Sequence, residues 1–327
     1  MTSALADGVI AGDPRAIARA ISLVEDETAG GADLVRAIFS HTGRAYLIGV
    51  TGPPGAGKST LVDRLVARFR QDSITIGVLA VDPTSPFSGG AVLGDRLRMQ
   101  SHASDAGVFI RSMATRGHLG GLARATSDAA LVLDASGKDI VLIETVGVGQ
   151  DEVDIVRAAD ISLVALVPGA GDDVQALKAG IMEIADIFVV NKADRDGSDR
   201  LAASIEANLS LHLYGPEEWR PPIVRTVATT GQGTGEVVAE IARFRARSEP
   251  ADGRRRRARG EHRLRECLSQ AALNHIERDV LGPGELDTIV DRIASRDVDP
   301  YTAADELLKR ALRAGHVSSP PRHDDTK

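Results

Sequence analysis

GPPGAGKST, residues 52 to 60, follows the aliphatic run 46–50. It opens a stretch whose apolar residues, Leu61, Val62, Leu65, Val66 and Phe69, share one helical face. Strand, glycine-rich turn and helix are the setting that the pattern GxxxxGK[ST] requires. Gly52, Gly55 and Gly57, spaced by Pro53, Pro54 and Ala56, let successive backbone N–H groups close around phosphate oxygens. The helix start adds a favourable dipole. Lys58 is placed to reach the β- and γ-phosphates and the Ser59 hydroxyl to bind Mg²⁺, with Thr60 closing the motif.

Outward from this loop, strand candidates recur at 74–81, 108–110, 140–143, 161–167, 187–190 and 223–227. Several are near-continuous aliphatic runs, the pattern of strands buried on both faces of a parallel sheet. Helical patterns lie between most of them, so the expected fold is α/β, a doubly wound, mainly parallel sheet. Residues 4–40 carry helical spacing through Ile17, Ala18, Ile21 and Leu23, then Leu34, Ile38 and Phe39. After Ala246 comes the polar, Arg-rich stretch RSEPADGRRRRARGEHR, with no strand candidate beyond it. Apolar residues at helical spacing resume at Leu264 and continue to Leu312, with Pro300, Thr302 and Asp305 predicting a capping-box-like start for the last helix. The expected organisation is an N-terminal helical segment over 1–43, an α/β domain over 44–247, a helical extension over 248–314 and a frayed tail over 315–327.

NKAD, Asn191 to Asp194 with Lys192 between, follows the strand candidate IFVV. A carboxylate at Asp194 can accept from guanine N1–H and the exocyclic amine, and adenine offers neither donor there. GTP and GDP are therefore the expected ligands. IVLIETVGVGQ, residues 140 to 150, is a buried strand ending in Glu144 and then Gly147. A Glu at a strand end can be merely solvated. With the other two motifs present, it reads as a carboxylate holding Mg²⁺ or its water, with the Gly147 N–H sensing the γ-phosphate. Asp82 ends the second strand candidate and Asp95 sits in a Gly-rich loop. Either can join the metal shell; equally, Asp82 can form the turn before Pro83 and Asp95 can cap a helix.

Lys58 and Glu144 lie 86 residues apart, wider than in Ras-like GTPases, so an extra strand–helix unit containing Asp82 intervenes. GPPGAGKST, VDPTSPFSGGAVLGDRLRM, SMATRGHLGGLA, LIETVGVGQ, PGAGDDVQALKAGI, VVNKAD and PYTAADELL occur in that order. Together they resemble the MeaB/ArgK family, the methylmalonyl-CoA-mutase-associated GTPases, over roughly residues 10–312. The resemblance implies a P-loop GTPase that gates cofactor loading and protects or rescues an adenosylcobalamin-dependent acyl-CoA mutase. It implies a homodimer joined through the helical extension. It makes Asp82, Asp95 and Glu144 ligands around Mg²⁺. It makes residues 168–180 an additional switch loop, in which Asp172 and Lys178 pivot between nucleotide and partner. The second base-contacting loop, usually Ser-Ala, reads Thr226-Val227-Ala228; the backbone contact survives this change and the Ser hydroxyl contact does not.

The chain has 327 residues, 43% hydrophobic and 26% charged, which excludes global disorder. A net charge of −7 argues against nucleic acid or an anionic membrane as a partner. The run Arg254–Arg257 lacks interleaved aromatics and reads as a solvated hinge or arm surface. The single Cys267 excludes an intramolecular disulfide and Cys-based metal sites. No apolar run reaches the ~18 residues a membrane span needs, and the start lacks a signal-peptide pattern, so a cytoplasmic location is expected. Two other readings compete: a nucleotide-dependent protein kinase of a transport system, and a nickel-insertion metallochaperone GTPase. NKAD opposes the first. Eight scattered His and one Cys oppose the second. His118, in TRGHLGG, carries no assigned chemistry.

Overall fold

The computed structural model describes residues 2–26, 29–82, 100–102, 104–114, 121–145, 159–169, 181–248 and 252–316. Contacts divide the chain into two units, Met1–Asp252 and Gly253–Lys327.

Among the described residues, the first unit is built on seven strands: β1 (Tyr46–Thr51), β2 (Ile76–Asp82), β3 (Val108–Ala114), β4 (Ile140–Thr145), β5 (Ile161–Leu166), β6 (Ile187–Asn191) and β7 (Ile223–Thr226). They pair in parallel in the order β3-β2-β4-β1-β5-β6-β7, which puts β1 at the centre. Each expected strand is present, with shifted ends. Ile74 lies outside β2, because its N–H bonds back to Phe69 at the end of the preceding helix. β3 runs on past the aliphatic Ile110 through Arg111, whose charge is compensated by Glu25 at 2.7 Å.

The helices are α1 (Thr2–Ile10), α2 (Pro14–Glu25), α3 (Ala29–Ile38), α4 (Lys58–Gln71), α5 (Gly121–Ala135), α6 (Ile181–Ile184), α7 (Ser198–Leu209) and α8 (Thr234–Ser248). In α2 the buried face is Ala16, Ile17, Ala20, Ile21 and Val24, while Ala18 and Leu23 flank it. Asp13 caps that helix through the N–H groups of Arg15 and Ala16, with Pro14 at the first position.

Strand side chains alternate between faces, which explains the unbroken aliphatic runs. Ile76, Val78, Ile140 and Leu142 pack with Leu61, Leu65 and Phe69 of α4 and Phe244 of α8. Their neighbours Leu79, Val81, Val141 and Ile143 pack on the other face with α1, α2, α3 and α5. Further along that face, Val164, Leu166, Phe188 and Val190 meet Leu201 and Ile205 of α7. Fully burying each such side chain contributes about 1.5–3 kcal/mol. Asp134, near the end of α5 and 3% exposed, accepts from the N–H groups of Gly43, Arg44 and Ala45. It therefore fixes the point where the chain enters β1.

Among the described residues, the second unit comprises α9 (Asp252–His275), a π-helical turn (Ile276–Val280), α10 (Glu285–Ala294) and α11 (Pro300–His316). Two expectations change here. The helix begins at Asp252, ahead of the apolar stripe from Leu264, and runs through Arg254–Arg257, because Arg is a strong helix former that leaves no apolar trace in the pattern. The cap of α11 is Asp299, not Thr302. Its carboxylate accepts from the N–H groups of Tyr301 and Thr302 at 3.0 Å, which puts Pro300 at the favoured first position. Leu264, Leu268, Leu273, Val290 and Leu312 are exposed, and Ala303 is the buried hydrophobic residue of the described part of this unit. No helix among the described residues is long and apolar enough to cross a membrane.

Candidate functional site

Ligands of doubly wound sheets bind at the carboxyl ends of the strands, near the point where strand order reverses. Here the loop after β1 occupies that point, between β4 and β5. Three glycines in it have left-handed backbones: Gly52 at φ 141°, Gly55 at 78° and Gly57 at 82°. Two are also needed for space. A Cβ on Gly52 would stand 2.0 Å from the Ala165 carbonyl of β5, and one on Gly57 would stand 2.5 Å from Asn191 Nδ2. Gly57 then caps α4, so that helix begins at Lys58.

Lys58 is 6% exposed, and its ammonium donates to the carbonyls of Gly52 at 2.7 Å and Pro53 at 3.1 Å. The cation is thus held over the loop rather than in solvent. Ser59 Oγ donates to Glu144 Oε1 at 2.5 Å. The register explains this meeting: Glu144 lies beside Val50 of β1 on one side and Ala80 of β2 on the other. Asp82, at the end of β2, follows Ala80 by two residues, so its backbone is on the same rim; its side chain is outside the described residues. A hydroxyl beside a carboxylate is a pair of hard oxygen donors, which fits Mg²⁺ completed by waters and phosphate oxygens. Next to them, the buried Thr145 hydroxyl donates to Thr51 at 2.9 Å, joining the ends of β4 and β1.

Asn191 ends β6, 2% exposed, and ties three segments together. Its Nδ2 donates to the Ala56 carbonyl at 2.8 Å, while its Oδ1 accepts from Thr226 Oγ1 and from the Ala228 N–H, both at 3.1 Å. Lys192, at φ 55°, donates to the Gly55 carbonyl at 2.8 Å. NKAD is thereby brought against the glycine loop and against residues 226–228, although the chain separates Asn191 from Ala56 by 135 residues. Asp194 is exposed on the wall of a pocket of about 450 Å³, which Thr226, Val227, Arg225 and Gln232 also line. Val227 is itself fixed by its N–H bond to the Gln232 carbonyl. Arg64 of α4 reaches the same loop, donating Nε to Ala228 O at 3.1 Å and Nη2 to Thr229 O at 3.0 Å. Nothing in the sequence distinguishes Arg64 from a solvated helix arginine.

Asp95, Gly147, Asp172 and Lys178 lie outside the described residues, as do Gln150 and His118. The structure therefore unites Gly52–Thr60, Glu144, Asn191, Lys192, Asp194 and Thr226–Ala228, and is silent on those six.

Several titrating groups are displaced at the opposite end of the sheet. Hydrogen bonding to Arg70 holds the Asp105 carboxyl low, bonds from Thr75 do the same for Asp139, and burial lowers Lys138. These groups sit where β2, β3 and β4 begin, and they fasten α4 and the strand entries together.

The sequence profile of the family described as methylmalonyl-CoA mutase-associated GTPase MeaB matches residues 17–280. A protein of Pyrococcus abyssi is 51% identical over 311 residues, covering 93% of this chain and 95% of its own. The mouse mitochondrial protein named methylmalonic aciduria type A homolog is 31% identical over 328 residues, covering 94% of this chain and 79% of its own. Among solved structures, one titled LAO/AO transport system kinase shares the fold. Its TM-score is 0.68, with 24% identity and coverage of 94% of this chain and 96% of that one.

Proposed function

This chain belongs to the MeaB family, the methylmalonyl-CoA-mutase-associated GTPases, and we propose that it hydrolyses GTP to GDP and phosphate as a cytoplasmic G-protein chaperone of an adenosylcobalamin-dependent acyl-CoA mutase. The observation that carries the reading is Asn191. One buried amide joins the Ala56 carbonyl of a phosphate-binding loop to the Ala228 N–H of a base-reading loop. A guanine nucleotide spans just those two loops.

In this reading the 52–60 loop receives the phosphates through its N–H groups, and Lys58 turns its ammonium from the loop carbonyls to the β- and γ-phosphates. Ser59 and Glu144, with Asp82 and Asp95, would hold Mg²⁺ directly or through water, and a bound ion would supply charge neutralisation for the phosphates. Asp194 accepts from guanine N1–H and the 2-amino group. The Ala228 N–H, shared with Asn191, donates to O6. Gly147 follows the γ-phosphate. Asp172 and Lys178 relay its state to the mutase.

The residue after Gly147 is Val148, which cannot polarise an attacking water, and the nearest Gln is Gln150. Turnover in isolation is therefore slow, and the partner completes the site by ordering a switch loop. Phosphate release measured with and without the mutase tests this. Strong stimulation supports it, whereas unassisted turnover near ~1 s⁻¹ removes the need for a partner. Loss of stimulation in Lys178→Ala supports that residue's role in coupling. The exposed leucines of the second unit support a homodimer formed through residues 248–314. Sedimentation as a monomer at micromolar concentration would contradict that part.

A further inference from the structure

We infer that Arg64 is a positioning residue for guanine recognition, setting the orientation of the N–H groups that meet the purine O6. The inference rests on the base-site reading above and deepens it.

Arg64 lies on α4 two turns beyond the phosphate-binding lysine, and it touches neither the glycine loop nor NKAD through any of its hydrogen bonds. Its guanidinium instead forks onto two consecutive carbonyls, Ala228 O at 3.1 Å through Nε and Thr229 O at 3.0 Å through Nη2. A planar fork that bonds two neighbouring carbonyls fixes the peptide planes to which they belong. In a trans peptide the C=O of one residue and the N–H of the next point in opposite directions. Holding Ala228 O toward α4 therefore aims the Thr229 N–H away from α4. The plane after Thr229 is fixed in the same way, and its N–H, that of Thr230, bonds the Val227 carbonyl at 3.0 Å. The preceding N–H, that of Ala228, is oriented by Asn191 Oδ1 at 3.1 Å. Two consecutive donors of the loop are thus set by two separate devices, a buried amide from β6 and a half-buried arginine from α4.

The loop is also braced from within, by the Val227 N–H to the Gln232 carbonyl at 3.0 Å and the Gly231 N–H to the Ala228 carbonyl at 3.3 Å, and the arginine adds a brace from α4. It also links the helix that starts at the phosphate-binding lysine to the loop that reads the base.

The test compares three nucleoside diphosphates on the full chain. GDP presents O6, N1–H and the 2-amino group; IDP keeps O6 and N1–H; 2-aminopurine riboside diphosphate keeps the 2-amino group and lacks both O6 and N1–H. Arg64→Ala is expected to weaken GDP and IDP by about tenfold, the scale of losing a charge-assisted hydrogen bond. It should leave the 2-aminopurine nucleotide within twofold of wild type. Arg64→Lys, a single ammonium without the fork, is expected to recover part of the loss. Equal weakening of all three nucleotides would mean that Arg64 serves α4 generally, and unchanged GDP affinity would mean that it serves nothing here; either result overturns the inference. Wild type is titrated with ADP in parallel. Equal affinity for GDP and ADP would sink the base-site reading itself, a failure visible without any variant.

Discussion

Asn191→Ala removes three hydrogen bonds at once from a side chain that is 2% exposed. The Ala56 carbonyl, the Thr226 hydroxyl and the Ala228 N–H all lose their partner. A buried polar group left unsatisfied costs about 1–3 kcal/mol. A water entering the vacated amide position can satisfy some of the three, so the net loss should be about 3 kcal/mol rather than the full sum. For a unit of the size of Met1–Asp252, each kcal/mol lowers the melting temperature by about 2–4 °C, which predicts a fall of about 6–12 °C. The same contacts hold the phosphate loop against the base loop before nucleotide arrives. GDP binding to the variant must impose that geometry itself, and affinity should fall between tenfold and about a hundredfold. Calorimetric melting of the apoprotein and a fluorescence titration with GDP read the two effects separately. A melting temperature within about 2 °C of wild type, together with unchanged GDP affinity, would refute the claim that Asn191 is the tie between the loops.

Gly57→Ala should reproduce much of the Asn191→Ala phenotype. The new Cβ would stand 2.5 Å from Asn191 Nδ2, at a backbone φ of 82° that costs about 1–2 kcal/mol for an L-residue. Because the two changes disrupt one contact, the double variant should be less impaired than the product of the singles, as a double-mutant cycle would show. Lys58→Ala should nearly abolish phosphate release, since Lys58 supplies the fixed charge nearest the transferring group; wild-type turnover in that variant would remove Lys58 from its role. In the second unit, bonds from Arg310 and then from the Gly282 N–H hold the Glu285 carboxyl down to about 2 from an ordinary 4.5. A lowered carboxyl stabilises above its unfolded value and stops doing so as pH falls through its folded value. Protection of residues 276–316 against hydrogen exchange should therefore fall between pH 4.5 and about 2. Glu285→Gln should flatten that dependence.

Much of the fold is legible in the sequence because its strands are buried on both faces, and burial writes itself as aliphatic runs. Legibility fails where a polar residue sits in such a strand. Arg111 belongs to β3 only because Glu25, on a distant helix, meets its charge. It fails again where helix formers carry no apolar stripe, as through Arg254–Arg257. The last helix shows a third cause: the start expected around Thr302 gives way to Asp299, which only the hydrogen bonds reveal as the cap. In the site, the glycine loop and NKAD are legible because each motif is contiguous. That they serve one ligand is legible from their joint presence; the contacts through which they meet are not, since those depend on strand order. The parallel register that sets Glu144 beside Val50 brings it to Ser59, and no local pattern encodes that register. Arg64 leaves no trace at all, because its partners are backbone carbonyls, which every sequence supplies.

Phosphate release from GTP and from ATP, measured side by side at equal low concentration with Mg²⁺ present, tests the central claim most directly. Adenine forfeits both hydrogen bonds to Asp194 and leaves that carboxylate unpaired, a loss on the order of 3 kcal/mol or more. The predicted outcome is turnover of GTP with ATP slower by about two orders of magnitude or more. Equal rates from the two nucleotides would contradict the account.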